Sequence, residues 1–280
     1  MLTMTDVLKR NNVTVRGLGK QTIIFAHGFG CNQHMWQEVS SAFEKDYTVV
    51  LFDYVGAGQS DLQAYDSKKY STLDGYAQDI LDICHDLDIS QAILVGHSVS
   101  SMIAVIAALK EPALFKKLIF VSPSPYFFNE IDYQGGLNRQ DVDGLFEMMD
   151  SNYLGWSSMM APLIMGNADR PELGEALSGS FCATDPAIAR EFAKVTFYSD
   201  NRSYLPLLEV ESLTLQCADD MLAPMQIGEY IKEHTPNNSL TNLKATGHCP
   251  HLSAPEEIIN AITGYLKTSK AYEDSFLCRN

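Results

Sequence analysis

Ser98 occupies a position at which a backbone turn would hold a reactive hydroxyl away from its own chain. Residues 92–95 are apolar and end at Gly96, and residues 100–110 have the pattern of a helix. Ser98 is therefore predicted on a sharp turn between a strand and a helix, where the first N–H groups of the helix stabilise negative charge. Ser100 replaces the last glycine of the usual G-x-S-x-G pattern, and it is small enough to keep helix and strand close. The stretch is typical of a serine nucleophile.

An acid and a base that such a serine needs follow later in the chain. Two further predicted strands, 212–218 and 239–245, are followed by Asp219-Asp220 and by the segment that holds His248 and His251. Because the carboxyl ends of parallel strands meet at one edge of a sheet, serine, acid and histidine in this order predict a catalytic triad. The residue pattern leaves both acids and both histidines open, since an acid there also caps a helix and a histidine also packs in a core.

A glycine-rich turn after the strand predicted at residues 21–26 supplies a second functional element. The turn reads His27-Gly28-Phe29-Gly30, and its glycines allow the backbone to approach another group closely. We expect the N–H groups of Phe29 and Val99 to face one point and to form an oxyanion hole. The alternative is a glycine-rich connection without a role in chemistry.

Strands that alternate with helices predict an α/β fold, with a mostly parallel sheet covered by helices on both faces. The alternation breaks between residues 126 and 205, where four helical patterns occur without a convincing strand. We therefore expect a core domain, residues 1–125 and 206–280, and a helical cap, residues 126–205. The four helices are predicted at 138–150, 156–165, 172–182 and 186–197.

A cap over the carboxyl ends of the strands would bring aromatic and methionine side chains, Tyr126 among them, close to Ser98. Such residues at helical spacing often belong to a core, so we expect only about half of those in the cap to line a pocket. A pocket of this kind favours a small apolar substrate. The candidate pocket residues are Phe29, His97, Phe127, Phe128, Phe146, Trp156, Met159, Met160 and Phe197.

Composition excludes several other classes of function. The chain has 280 residues, 46% of them hydrophobic, and a formal net charge of −15, which repels nucleic acid and anionic membrane surfaces. Its six cysteines are scattered, without metal-site or disulfide-framework spacing, as expected for reduced thiols. The sequence shows neither an export signal nor a long apolar segment, so we expect a cytoplasmic protein that is not bound to a membrane.

Several short motifs, spread over residues 8–268, resemble those of an RsbQ-type α/β-hydrolase. They are also similar to motifs of the plant karrikin and strigolactone receptor-hydrolases. Residues 271–280 lie outside the resemblance. The motifs are HGFG, DYVGAGQSD, GHSVS, SPSPYFFN with DYQGG, NYLGW, FYSD and GHCPHLSAP.

The resemblance implies an α/β-hydrolase fold and a site that uses neither a cofactor nor a metal. It places the acid four residues before Pro224, which favours Asp220 over Asp219. The implied roles are nucleophile for Ser98, base for His248, acid for Asp220 and oxyanion donors for Phe29 and Val99.

The function expected from this reasoning is hydrolysis of a small hydrophobic ester or lactone through an acyl-enzyme. The resemblance further implies a bacterial stress-signalling role, with a PAS-domain phosphatase of the RsbP type as partner and sigma-factor regulation as the outcome. Two alternatives stay open. In the first, the chain is a metabolic carboxylesterase or lactonase without a signalling partner. In the second, it is a C–C bond hydrolase or perhydrolase that uses the same triad.

Overall fold

The computed structural model describes the backbone of residues 6–277 and the side chains of residues 6–267. Residues 1–5, Cys278 and the end of the segment 271–280 lie outside the described part. The strands are β1 (Thr14–Arg16), β2 (Gln21–Ala26), β3 (Tyr47–Leu51), β4 (Ala92–His97), β5 (Phe115–Val121), β6 (Ser212–Gln216) and β7 (Asn238–Asn242). The helices are α1 (Asp6–Arg10), α2 (Gln37–Ser41), α3 (Leu73–Asp86), α4 (Val99–Lys110), α5 (Arg139–Ser151), α6 (Tyr153–Met165), α7 (Pro171–Cys182), α8 (Pro186–Tyr198), α9 (Met225–His234), α10 (Pro250–Ser253) and α11 (Pro255–Leu277).

Within residues 6–277 the strands form one seven-stranded sheet in the order β1-β3-β2-β4-β5-β6-β7. The short edge strand β1 pairs antiparallel with β3, and every other pairing is parallel. The predicted α/β class with a mostly parallel sheet is confirmed. Since β4 lies in the middle of the sheet, the residue that follows it emerges at the centre of the carboxyl edge, where ligands bind in folds of this kind.

Alternating side chains on the central strands build two separate cores. Ile24 and Leu94 pack with α3 and α4 on one face of the sheet. Ile23 and Val95 pack with α2 and α11 on the other face. Because strand side chains alternate between faces, these continuous apolar runs fit strands covered on both sides. The predicted helices on both faces are present.

The helices α5 to α8 lie between β5 and β6 in the chain and form a third apolar cluster. This cluster includes residues of the loops after β2, β5, β6 and β7: Cys31, Phe127, Leu222 and Cys249. The inserted helices therefore pack on the carboxyl-end loops of the sheet. Helix α6 begins three residues earlier than predicted because the Asn152 side chain accepts a hydrogen bond from the Gly155 N–H and caps it.

Candidate active site

Ser98 forms a strained turn between β4 and α4. Its φ is 54° and its ψ is −123°, in a region that residues other than glycine rarely adopt. The turn is held because the Ser98 N–H donates to the Val121 carbonyl at 2.9 Å. At Gly96 a Cβ atom would lie 2.5 Å from the Ser100 carbonyl oxygen, so only glycine fits there. The predicted strand-turn-helix arrangement is present, and the start of α4 lies directly beside the hydroxyl.

Ser100, the departure from the usual glycine, is fully buried and takes part in hydrogen bonds. Its hydroxyl donates to the His27 carbonyl at 2.5 Å, so the Tyr54 hydroxyl, 3.0 Å from the Ser100 oxygen, acts as donor to it. This serine thus joins the helix after Ser98 to the turn that holds Phe29.

Ser98, His248 and Asp220 form a hydrogen-bonded relay. The Ser98 hydroxyl donates to His248 Nε2 at 2.7 Å, and His248 Nδ1 donates to Asp220 Oδ2 at 2.8 Å. The other carboxylate oxygen of Asp220 accepts from the N–H groups of Leu222 and Ala223, at 2.9 and 3.1 Å. All three side chains of the relay are buried. The carboxylate is therefore fixed in place, and it in turn fixes the tautomer of the imidazole.

The structure places the neighbouring acid elsewhere. Asp219 is exposed, and its carbonyl rather than its carboxylate contributes to the site, since it accepts from the Gly247 N–H at 2.7 Å. Of the two acids that the residue pattern left open, only Asp220 contacts His248.

His251, the second candidate histidine, is a core residue. Its ring packs against the tilted rings of Trp36 and His97, with centroids 4.5 and 4.3 Å away, and neither ring nitrogen has a hydrogen-bond partner among the described residues. Burial, with a smaller contribution from His248, lowers the pKa of His251 to about 3. The ring therefore stays neutral at physiological pH and does not bond to Ser98.

Two hydrogen bonds of its backbone and the conformation of the preceding glycine position His248. Its carbonyl accepts from His97 Nε2 at 2.8 Å, and its N–H donates to the Ile164 carbonyl at the end of α6, at 2.9 Å. The preceding Gly247 has a φ of 82°, and a Cβ there would lie 1.8 Å from the Met165 carbonyl oxygen. Burial and the neighbouring histidines hold the pKa of His97 well below its usual range, so His97 is neutral and donates only from Nε2.

The backbone donors predicted for an oxyanion hole are free. Val99 is the first residue of α4, where N–H groups have no acceptor inside the helix. In the described part of the chain, the N–H groups of Val99 and Phe29 donate to no other group. Phe29 lines the same pocket as Ser98, and its turn depends on Gly30, where a Cβ would lie 2.1 Å from the Phe181 ring.

The pocket beside Ser98 and His248 is lined almost entirely by apolar side chains. It contains predicted residues from the turn, the elbow and the inserted helices: Phe29, His97, Phe127, Phe146, Trp156, Met160 and Phe197. The other lining residues are Cys31, Val142, Leu145, Met149, Ile164, Leu177, Phe181, Ala193, Thr196, Leu222 and Cys249.

Three residues predicted near the pocket do not line it. Tyr126 and Phe128 belong to the core that packs α3 and α4 against one face of the sheet. Phe127, which lies between them in the chain, reaches the pocket. The segment after β5 is extended, so consecutive side chains point in opposite directions. Met159 is 39% exposed, since the buried row of α6 runs through Trp156 and Met160. The predictions for Phe128 and Met159 were wrong for these reasons.

Sequence reasoning predicted only Phe146 on α5 and no residue of α7. Val142, Leu145 and Met149 recur at helical spacing on α5, and this stripe was the signal that a larger part of the helix faces the site. Phe181 on α7 packs against the Phe29 and Trp156 rings, 5.8 and 5.3 Å away, and no local pattern marks it. Its role follows only from how the helices pack.

Comparisons with known proteins identify the family of the chain. A family model described as α/β hydrolase fold matches residues 21–144. The chain is 38% identical to the karrikin insensitive 2 receptor CA of Petunia hybrida, over 94% of this chain and 98% of the relative. It is 37% identical to the strigolactone esterase D14 of Arabidopsis thaliana, over 90% of this chain and 95% of that one.

Among solved structures, the fold is similar to olei00960, a hydrolase from Oleispira antarctica. The TM-score is 0.92 and the identity 44%, over 94% of this chain and 96% of that one. The α/β-hydrolase fold implied by the motifs is confirmed, as is the similarity to the plant karrikin and strigolactone proteins. By its fold and by these relatives, the chain belongs to the α/β-hydrolase family.

Proposed function

We propose that this chain is a serine hydrolase that cleaves a small hydrophobic ester or lactone through an acyl-enzyme. The observation that carries the proposal is the relay from the Ser98 hydroxyl through His248 to Asp220, with hydrogen bonds of 2.7 and 2.8 Å. Two free backbone N–H groups and an apolar pocket beside the same hydroxyl support it.

The proposed reaction begins when His248 Nε2 takes the Ser98 proton as the serine oxygen attacks the substrate carbonyl. The oxyanion is stabilised by the N–H groups of Phe29 and Val99, and Asp220 stabilises the imidazolium. The C–O bond then breaks, and the alcohol leaves with the proton from His248. Water gives a proton to His248 and attacks the acyl-enzyme, which releases the acid and returns the proton to Ser98.

The test is hydrolysis of a short-chain aryl ester by the wild type and by Ser98→Ala. We expect the variant to lose at least about 1,000-fold in kcat, because a triad acts as a unit. Ser253→Ala is the matched control, since this buried hydroxyl has no partner among the described residues and lies outside the pocket. It should keep wild-type turnover. Equal rates for Ser98→Ala and the control would contradict the proposal.

A comparison of substrate classes tests which reaction the chain catalyses best. Esters and lactones are expected to outperform a vinylogous C–C bond substrate and perhydrolysis with hydrogen peroxide, the two other chemistries open to such a triad. The acyl group would occupy the apolar pocket, in which burial of each CH₂ contributes about 0.8 kcal/mol. Preference for a C–C bond substrate, or for peroxide over water, would move the assignment to one of those classes.

A second candidate function is signalling, and similarity to a karrikin receptor over 98% of its length favours it. In this proposal residues 126–205 act as a cap on a core of residues 1–125 and 206–280. A bound ligand or acyl group shifts the cap between two arrangements. The resemblance of the motifs to the RsbQ type gives the partner class, a PAS-domain phosphatase of the RsbP type in a bacterial stress pathway.

The signalling proposal is tested at the outer face of α5. Arg139 and Asp143 are poor probes, because Arg139 lies over the Phe128 ring at 4.4 Å and Asp143 accepts a hydrogen bond from Tyr198. Glu147 is exposed and is the better position. Glu147→Lys should weaken binding to an RsbP-like phosphatase and leave aryl-ester hydrolysis unchanged. A kcat/KM above about 10⁴ M⁻¹s⁻¹ for some ester, with no phosphatase binding by the wild type, would favour a metabolic enzyme.

A further inference from the structure

Among the buried polar atoms of the pocket wall without a hydrogen-bond partner in the described part of the chain, two lie on the inserted helices. They are Trp156 Nε1 and Thr196 Oγ1, on α6 and α8, and both residues line the pocket with Ser98. A third such atom, His97 Nδ1, faces the backbone of Gly28, where a Cβ would lie only 2.5 Å from it. His97 Nδ1 is therefore crowded by this backbone, which leaves Trp156 Nε1 and Thr196 Oγ1 as the candidate contacts for a ligand.

The Thr196 hydroxyl does not make the hydrogen bond that is common for threonine inside a helix. Threonine and serine hydroxyls inside a helix commonly donate to the carbonyl four residues earlier. Ser199 does this at the end of α8, where its hydroxyl donates to Val195 at 2.6 Å. Thr196 is 3% exposed and makes no such bond. A buried hydroxyl without a partner destabilises the fold, so its presence in a binding wall is explained if a ligand completes it.

The chemistry of the two groups restricts that ligand. An indole N–H only donates, and a hydroxyl donates or accepts, so an oxygen that accepts hydrogen bonds is a suitable partner for each of them. The scissile carbonyl oxygen has its own donors at Phe29 and Val99, which means that this acceptor is a second oxygen of the substrate. The rest of the wall is apolar.

We propose that Thr196 is a specificity-determining residue, whose hydroxyl, together with the Trp156 N–H, selects esters or lactones that carry a second acceptor oxygen on an otherwise apolar body. This rests on the proposed hydrolase function. A site built to hydrogen-bond a substrate group rejects the analogue that lacks it, because its own polar atoms are then left unpaired.

The experiment compares esters that differ by one oxygen in place of one methylene. One pair changes the acyl side, p-nitrophenyl methoxyacetate against p-nitrophenyl butanoate. The other pair changes the alcohol side, 2-methoxyethyl acetate against butyl acetate. Within each pair the ratio of kcat/KM is measured for the wild type and for each variant, so that the intrinsic reactivity of the esters cancels between proteins.

Thr196→Val keeps the shape of the side chain and removes the hydroxyl. We expect it to reduce the preference for the oxygen-bearing ester, measured as the ratio of the two kcat/KM values, by about tenfold in at least one pair. This is the effect of one lost hydrogen bond. Trp156→Phe should lower the same ratio. Thr235→Val is the matched control, since Thr235 is also buried and unpartnered in the described chain but lies outside the pocket. It should leave the ratio unchanged.

Stability provides a second readout. Because Thr196→Val removes a buried hydroxyl without a partner, its thermal midpoint without ligand should equal or exceed that of the wild type, so that a changed ratio is not due to misfolding. A change of less than twofold in both ratios, or the same change in Thr235→Val, would overturn the proposal.

Failure of the proposed hydrolase function is distinguishable, because it would show as unchanged ester hydrolysis in Ser98→Ala or as no hydrolysis at all. The role of Thr196 is then measured by binding alone. Dissociation constants of each ester pair for Ser98→Ala are compared with those for Ser98→Ala/Thr196→Val. We expect the double variant to lose the preference for the oxygen-bearing ester, and a preserved preference would overturn the proposal.

Discussion

The Ser98 hydroxyl gains its position from the backbone and its proton acceptor from a distant part of the chain. Residue 98 and residue 248 are 150 positions apart, yet their side chains lie 2.7 Å from each other. Chain order alone predicts this meeting, because each residue follows a strand and the strands run parallel. What the order cannot predict is which of two adjacent acids contacts the histidine, since both follow the same strand.

The two acids give a sharp prediction at this scale. Asp220→Asn keeps the size of the side chain but removes the charge that orients and stabilises the imidazolium, so kcat should fall by about 10³- to 10⁴-fold. Asp219→Asn should change kcat less than twofold, because only the carbonyl of this exposed residue takes part in the site. Steady-state hydrolysis of one aryl ester by the two variants measures the difference. The opposite ranking would move the acid to Asp219.

The sequence does not predict which individual residues of the segment 126–128 face the pocket. Phe127 lines the pocket while Phe128 lies under the Arg139 side chain, because an extended segment turns consecutive side chains apart. Three aromatic residues in a row carry no signal of which one faces the site. That choice is made by the register of the segment, which the isolated pairing of Phe128 with Leu137 fixes.

At the scale of elements, the end of α6 is tied to the segment that carries His248. The Asn167 side chain donates to the Thr246 carbonyl at 3.1 Å. Arg170 donates to the Ser253 carbonyl at 2.7 Å and to the Asn167 side-chain oxygen at 2.5 Å. With the bond from the His248 N–H to Ile164, these contacts hold both sides of the histidine segment against an inserted helix.

Loosening this connection should affect the chemical step more than binding. Arg170→Met retains the apolar stem and removes both hydrogen bonds, so we expect kcat to fall about five- to tenfold with little change in KM, because small misplacements of a catalytic group are costly. Arg16→Met is the matched control, since Arg16 on the edge strand β1 donates to the Gln37 side chain at 3.0 Å and pairs with Glu44, outside the pocket. Equal kcat values for the two variants would show that the connection does not position His248.

Elements with continuous apolar runs are the ones that the sequence predicts well. Strand β2 has the predicted bounds, and β4 begins at the predicted Ala92. Strand β5 is harder to delimit from the sequence, because two lysines follow Phe115 and interrupt its apolar pattern. Lys117 is nevertheless buried, with its amine paired to Glu211 and lying 4.8 Å from the Tyr265 ring centroid. A long-range ion pair of this kind has no local signature.

The whole molecule carries a set of buried histidines behind the site. Burial is the main cause that lowers the pKa values of His27, His97 and His251, the last to about 3. In the unfolded chain these rings bind protons below a pH of about 6.5. Between that pH and the lower folded pKa values, the unfolded state therefore binds more protons than the folded state. Stability rises with pH across this window and is lost as the pH falls through it.

His251→Phe tests this linkage. Each neutral buried ring contributes a slope of about 1.4 kcal/mol per pH unit to the free energy of unfolding inside the window. Between pH 4.5 and 6, the free energy of unfolding of the variant should therefore rise with pH less steeply than that of the wild type, by about this amount per pH unit. Above pH 7.5 the two curves should run parallel, because the histidines are then neutral in both states. Urea unfolding at a series of pH values measures it. Identical slopes in the acid range would mean that His251 takes up its proton without unfolding.

None of the helices in the described chain combines the length and apolarity needed to cross a membrane.

For the molecule as a whole, the parallel sheet, the inserted helices and the site at the carboxyl edge were predictable from alternation and chain order. The packing of α7 over the glycine turn was not, because it depends on contact between Phe181 and Gly30, which are far apart in the chain.

Covalent labelling provides a direct test of Ser98 as the nucleophile. The protein is incubated with a fluorophosphonate, which loses fluoride as the serine oxygen bonds to phosphorus, and the adduct is located by intact mass and peptide mapping. We predict one adduct per chain, on Ser98, that is absent in Ser98→Ala and retained in Ser253→Ala. An adduct on another residue, or one that persists in Ser98→Ala, would show that Ser98 is not the nucleophile.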